Sequence, residues 1–309
     1  MLKRSMSPRR LESPPVRLMA VDTLTQPPLR RFSRRTNVSV GQPTNVVGRV
    51  RSLKQIPADT TILIRAFDLA AVAAVLRLSE GRGGLFSADS PVPQYYRSGH
   101  EPHRIDIRNR SGRPMLAKPA GSIKLVDNSF WRSHRRRLNS LRFRGGRLNF
   151  RRDVWPIILQ AAADFLSEAG SSTKSTDVDN WYRGWSRYQM DAVSARRAMQ
   201  QSLGVATGLR PVDMPFAIGE TWRNLSPQVE ELVSSGGARV EQLEMYAAVR
   251  EEMQCIAFGP SAAATAKLLS LLRARLVTIG PLTEIGDSYD AYLRTPAAPH
   301  RGAKPVKMN

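Results

Sequence analysis

At 309 residues and 34.4 kDa, the chain is long enough for one large domain or two modest ones with real hydrophobic cores. Its 47 Lys and Arg against 26 Asp and Glu leave a net charge of +21, a balance whose usual partner is a polyanion. One cysteine, Cys255, and four histidines exclude a disulfide framework and Cys-based zinc modules, and apolar runs such as Leu69 to Leu76 fall far short of the roughly 20 residues that span a bilayer, so no transmembrane segment is expected.

The charge is unevenly placed. Residues 1–160 hold 31 Lys and Arg and 10 Asp and Glu, whereas residues 161–309 hold 16 of each, so the whole excess lies in the first half. Of the 47 cations 39 are arginine, whose planar guanidinium forks onto phosphate and stacks on bases. A GC-rich genome also enriches arginine, but does not confine the excess to one side of a chain.

Residues 1–55 read as an extended basic arm: Pro8, Pro14, Pro15, Pro27, Pro28 and Pro43 interrupt it, and the pairs Arg30-Arg31 and Arg34-Arg35 lie in it without a sustained apolar period. This Arg- and Ser-rich composition is also that of a mitochondrial transit peptide, although the prolines prevent a long amphipathic helix. Residues 56–152 read as a basic segment of mixed α and β structure. Asp59 is placed as the N-cap of a helix with Ile62, Leu63, Ala66, Phe67, Ala70, Ala73 and Ala74 inward and Gly81 as its stop. Gly81 to Gly84 is a turn, and Arg104 to Arg108 and Ser122 to Val126 are strand-like.

The sharpest local expectation is a β-hairpin over Leu141 to Phe150, with Gly145-Gly146 as its turn. It would put Leu141, Phe143, Leu148 and Phe150 on one face and Arg142, Arg144, Arg147 and Asn149 on the other. Arg144 opposite Arg147 would be a like-charge pair that an intervening phosphate relieves. With Arg132, Arg135, Arg136, Arg137, Arg151 and Arg152, these arginines form an acid-free window, expected to bind nucleic acid together with Arg30, Arg31, Arg34 and Arg35. Phe130 and Trp131 are expected to anchor this window to the core.

Residues 153–294 read as a helical domain and 295–309 as a tail. Asp153 caps a helix with Pro156 in its first turn and Gly170 as its stop. A longer helix runs from Val178 to Leu203 with Trp181, Trp185, Tyr188, Ala192, Ala195, Met199 and Leu203 inward, and Arg187 with Asp191 as an i,i+4 pair. Further helices span Ser226 to Ser235, Ala238 to Phe258, Ala262 to Ile279 and Asp287 to Arg294.

No nucleotide-binding loop, nucleophile elbow or zinc-protease motif is present. His100 and His103 read as a surface pair and Cys255 as a core filler. Asp177 with Asp179 and Glu230 with Glu231 read as acids in helix first turns. No cofactor, metal or catalytic residue is therefore expected. The fold class is mainly α (α+β): an arm, a basic segment with a hairpin, and a helical domain. The expected role is a non-enzymatic structural protein that binds and neutralises nucleic acid, RNA before DNA, through its first half. Its second half would assemble as a homo-oligomer or as a subunit of a large assembly. The setting is a virion, as a coat or nucleocapsid protein, or a ribonucleoprotein particle, as a ribosomal subunit that includes the mitochondrial case. A nucleic-acid-processing enzyme is the third reading.

Overall fold

The computed structural model describes residues 16–19, 53, 56–87, 90–119, 125–144, 148–234 and 240–282, with 16–19, 143, 144 and 240 described as backbone alone. Among these residues the chain is mainly helical with a small sheet.

The sheet is built from β1 (Val16–Met19), β2 (Thr61–Ile64), β5 (Arg104–Asn109) and β6 (Val277–Pro281), in that spatial order and all parallel. The register sets Ile62 beside Ile105 and Ile64 beside Ile107, and then Val277 and Ile279 beside the same two isoleucines. Because side chains alternate along a strand, this makes one continuous apolar face. It packs in one core with α1 (Leu69–Leu78), α5 (Ala192–Ala206) and α8 (Ala262–Arg273). In the alternate row Leu63, Asp106 and Thr278 lie side by side. There the Thr278 hydroxyl donates to the buried Asp106 carboxylate, to which the Arg104 guanidinium also donates at 2.8 Å. The two-stranded ladder of β3 (Leu85–Phe86) and β4 (Tyr95–Tyr96) is separate and antiparallel.

From β5 the chain leaves the sheet for a helical layer. It contains α2 (Asn128–Ser140), α3 (Trp155–Glu168), α4 (Ser175–Arg187), α6 (Met214–Leu232) and α7 (Val240–Ala257) around a second core of Phe150, Ile158, Phe165, Trp222 and Leu225. The chain returns through α8 to β6 beside β5. Close passage holds the layers together: the Leu116 amide donates to the Cys255 carbonyl at 2.8 Å. A Cβ at Gly259 would fall 1.7 Å from the Leu116 carbonyl oxygen, so that position requires glycine.

Several local expectations change. Ile62 and Leu63 belong to a strand, because a fully buried parallel strand is apolar on both faces and mimics a helix stripe. Asp68, not Asp59, caps α1, accepting the Ala71 amide at 2.8 Å. Within the expected extended arm, Val16–Met19 is an edge strand. The strand expected over Arg104 to Arg108 is β5. Most of Ser122 to Val126, and the helix expected from Asp287 to Arg294, fall outside the described residues.

The single helix expected from Val178 to Leu203 is two. Asp191 accepts the Ser194 amide at 2.6 Å and starts α5, so Arg187 closes α4 without an i,i+4 partner relation to Asp191 and instead lies 5.7 Å from the Tyr188 ring centre. Asp153 does not cap α3: it sits in a π-turn, Phe150–Val154, and accepts the Asn149 amide at 2.9 Å. α6 begins twelve residues before Ser226, at Met214, capped by Asp213, and runs through Pro227, because Trp222, Leu225 and Val229 keep one buried stripe across the proline. The helix expected to reach Ile279 ends at Arg273. Arg275 turns the chain at φ 55°, and Val277 to Pro281 become β6.

Candidate nucleic-acid interface

The arginine-rich window folds as a helix and two tight turns. Asp127 caps α2 by accepting the Ser129 and Phe130 amides at 2.8 and 3.2 Å. Trp131, His134, Leu138 and Leu141, three and four residues apart, are buried. Trp131 stacks on Phe165 with ring centres 5.8 Å apart, and Phe130 meets Trp131 edge-on at 4.8 Å, which places Trp131 in the core and the half-buried Phe130 against it. Burial, with Arg137 nearby, holds His134 below the ordinary histidine pKa despite Asp164. The inner face of α2 is therefore neutral, and its charge points outward.

The β-hairpin is not formed. Leu141–Arg144 is a 3-10 turn that extends α2. Asn149 caps the π-turn, its side chain accepting the Arg152 amide at 2.9 Å, and Leu148 and Phe150 are buried in the helical core. Among the described residues, Arg142 therefore lies on a helical turn and Asn149 caps the π-turn, and they do not share the ribbon face expected of Arg142, Arg144, Arg147 and Asn149. The reason is the stripe from Trp131 to Leu141: helical period carried across the window outweighs the short alternation around two glycines.

Each expected binding residue has a distinct place. Arg132, Arg136 and Arg137 are exposed on α2 and Arg151 on the π-turn, and no ion pair of these four occurs among the described residues. Arg135 turns toward α6 and donates to the Asn224 carbonyl at 3.4 Å. Arg142 pairs with Glu231 of α6, and Arg152 pairs with Asp153 at 3.1 Å. Since 135 to 142 and 224 to 231 are equal steps, α2 and its extension run along α6 in the same direction. Arg144 is described as backbone alone, and Arg30, Arg31, Arg34, Arg35 and Arg147 fall outside the described residues.

Other polar groups meet only in space. Arg113, buried between the layers, donates to the Tyr188 carbonyl at 3.0 Å and pairs with Glu252. The Trp185 indole donates to the other Glu252 oxygen at 3.1 Å. Gly112 beside it, at φ 67°, has the Met190 carbonyl oxygen 2.0 Å from where a Cβ would stand. Buried Glu101 accepts the Tyr95 hydroxyl and the Ser98 and Gly99 amides. Burial pushes the Cys255 thiol up to about 12, with Glu252 adding to it, so the thiol stays protonated and packs. His100 and His103 are both exposed, and no group of three potential metal ligands occurs among the described residues. Asp177 does sit in a helix first turn, receiving the Lys174 amide at 2.9 Å. Glu230 and Glu231 lie instead at the end of α6, where they meet Arg250 and Arg142.

Compared with protein families and with curated protein sequences, the chain finds no match. No helix among the described residues is long and apolar enough to cross a membrane. On its own chemistry, the outer surface of α2 offers fork-shaped donors to phosphate oxygens. Arg132 and Arg136 stand one helical turn apart on that surface.

Proposed function

We propose that this chain is a structural, non-catalytic protein that binds and neutralises nucleic acid, RNA in preference to DNA, through its arginine-rich first half. In this reading it assembles through its helical second half in the manner of a viral coat or nucleocapsid protein. One observation carries the proposal: α2 holds four arginines and no acid, and Arg132, Arg136 and Arg137 stand exposed on it while its apolar side is fixed in the core. A rigid helix whose outer surface is cationic binds phosphate without reorganising. The equal count of 16 cations and 16 acids over residues 161–309 lets copies approach without net repulsion through that half.

The test is binding of the full chain to single-stranded RNA across a salt series. If about ten phosphates are neutralised, log affinity falls against log salt with a slope of roughly −7. The triple variant Arg132→Ala, Arg136→Ala, Arg137→Ala makes that slope shallower by about 2 and leaves the thermal midpoint unchanged. A variant with unaltered RNA affinity removes α2 from the interface. Electron microscopy of chain and RNA together yields particles or filaments for a coat, whereas a monodisperse RNA-bound monomer overturns the assembly claim. Magnesium-dependent RNA cleavage by the pure chain overturns the non-catalytic one.

A further inference from the structure

A cleft of about 220 Å³ opens between α4, α5 and the start of α6. One wall is aromatic and apolar: Trp181 and Trp185, one turn apart on α4 with ring centres separated by 5.7 Å, joined by Leu116 and Met190. From α5, Ser194, Arg197, Gln201 and Ser202 line the cleft with Ala198. Asp213 also lines the cleft. It accepts the Phe216 amide at 3.0 Å as the cap of α6, and a carboxylate has about four acceptor positions, so the cap leaves acceptors for a ligand. Burial raises the Asp213 pKa.

The two Trp side chains differ in a telling way. Trp185 is buried and its indole N–H is committed to Glu252, whereas Trp181 stays partly exposed in the cleft. The α4–α5 connection carries Tyr188, 64% exposed, with the Arg187 guanidinium 5.7 Å from its ring centre. Of the exposed arginines on these two helices, Arg197 lines the cleft, and Arg183 pairs with Asp179 at 2.5 Å. Aromatic rings and hydrogen-bonding groups lining one cleft, with the exposed Arg197 at its edge, are what a planar heterocycle on a phosphate backbone requires. Bases stack on the aromatic side, their polar edges meet amide and carboxylate groups, and phosphates meet arginine. The volume suits one base with part of its sugar.

We propose that this cleft captures a single unpaired nucleobase, so that the neutral second half of the chain reads RNA that the first half binds by charge. The inference rests on the nucleic-acid reading above and names a site that α2 does not contain. Its geometry favours a base with an exocyclic amine, which Asp213 accepts and Gln201 brackets.

Adenosine 5′-monophosphate is the probe, with ribose 5-phosphate as the control that keeps the phosphate and lacks the base, and tryptophan fluorescence of the full chain is the readout. The monophosphate quenches and the control does not. Trp181→Ala weakens monophosphate binding by about tenfold or more, in keeping with the loss of one stacked base, while Trp181→Phe retains most of it. Gln201→Ala, an exposed change that leaves the fold intact, also weakens it. Equal binding of both probes, or no quenching at saturating monophosphate, overturns the proposal. The two readings fail separately: the triple α2 variant keeps monophosphate binding while it loses RNA affinity, and Trp181→Ala keeps the RNA salt slope while it loses the monophosphate.

Discussion

Glu101 shows what a single residue contributes when three donors converge on it. The Tyr95 hydroxyl at 2.7 Å, the Ser98 amide at 2.8 Å and the Gly99 amide at 2.9 Å close the loop between β4 and β5. Burial alone would raise its pKa, but the hydrogen bonds outweigh burial and hold it below the ordinary glutamate value. A folded-state pKa below the unfolded one means that the unfolded chain binds more protons in acid. The loop's contribution is therefore complete above the glutamate range and is lost as pH falls through the folded value. Urea denaturation across that acid window should show the decline in the wild type and a smaller one in Glu101→Gln. At neutral pH the variant should be less stable by about 1–3 kcal/mol, because two amides and a hydroxyl lose a charged acceptor. In the sequence Glu101 was visible only as the residue between His100 and Pro102. Nothing local announced that Tyr95 and two backbone amides would turn toward it.

At the scale of elements, caps and periodicity competed: the stripe from Trp131 to Leu141 prevailed over the glycine turn, whereas the Asp191 cap divided the stripe from Trp181 to Leu203. α3 and α7 were legible from spacing and from their stops, and α8 from its start at Ser261, although its expected stop at Gly280-Pro281 falls in β6. α2 was hidden because arginine fills nearly every position off its stripe, so the window looked like a charge run beside a glycine turn. α1 was displaced because the apolar residues of β2 and α1 follow one another with only Arg65 and Asp68 as charges between them, and Asp68 marks the boundary. That cap carries a prediction. Burial raises the Asp68 pKa against the Ala71 and Ala70 amides that favour its charge. Asp68→Asn should therefore keep the capping bond and shed the buried charge, leaving stability at pH 7 unchanged or higher. Asp68→Ala should lose about 0.5–2 kcal/mol. Thermal melts of the two variants check this, and equal losses would contradict the capping role.

For the whole molecule, the decisive feature is that neighbouring strands β5 and β6 are separated in sequence by an entire helical layer. Asp106 finds Thr278, Arg113 finds Glu252 and Leu116 finds Cys255 across that gap. The N-terminal strand completes the sheet, so removing residues 2–50 takes β1 away and leaves the backbone of β2 without a neighbour on that side. The truncated chain should remain helical by circular dichroism, melt earlier and sediment as larger species at raised concentration. It should also bind RNA with a shallower salt slope, since the segment carries 10 Lys and Arg against 2 acids. An unchanged midpoint would mean that β1 adds nothing to the sheet. The sequence by itself determined the charge asymmetry and the helices whose stripes and caps lie within a few turns, because those depend on neighbours along the chain. Which arginines face solvent and which meet Glu231 or Glu252, which strands are adjacent, and that two tryptophans and polar groups of α5 share a cleft were decided by the tertiary structure alone. Those partners are brought together by packing over tens to well over a hundred residues, a distance that no local spacing records.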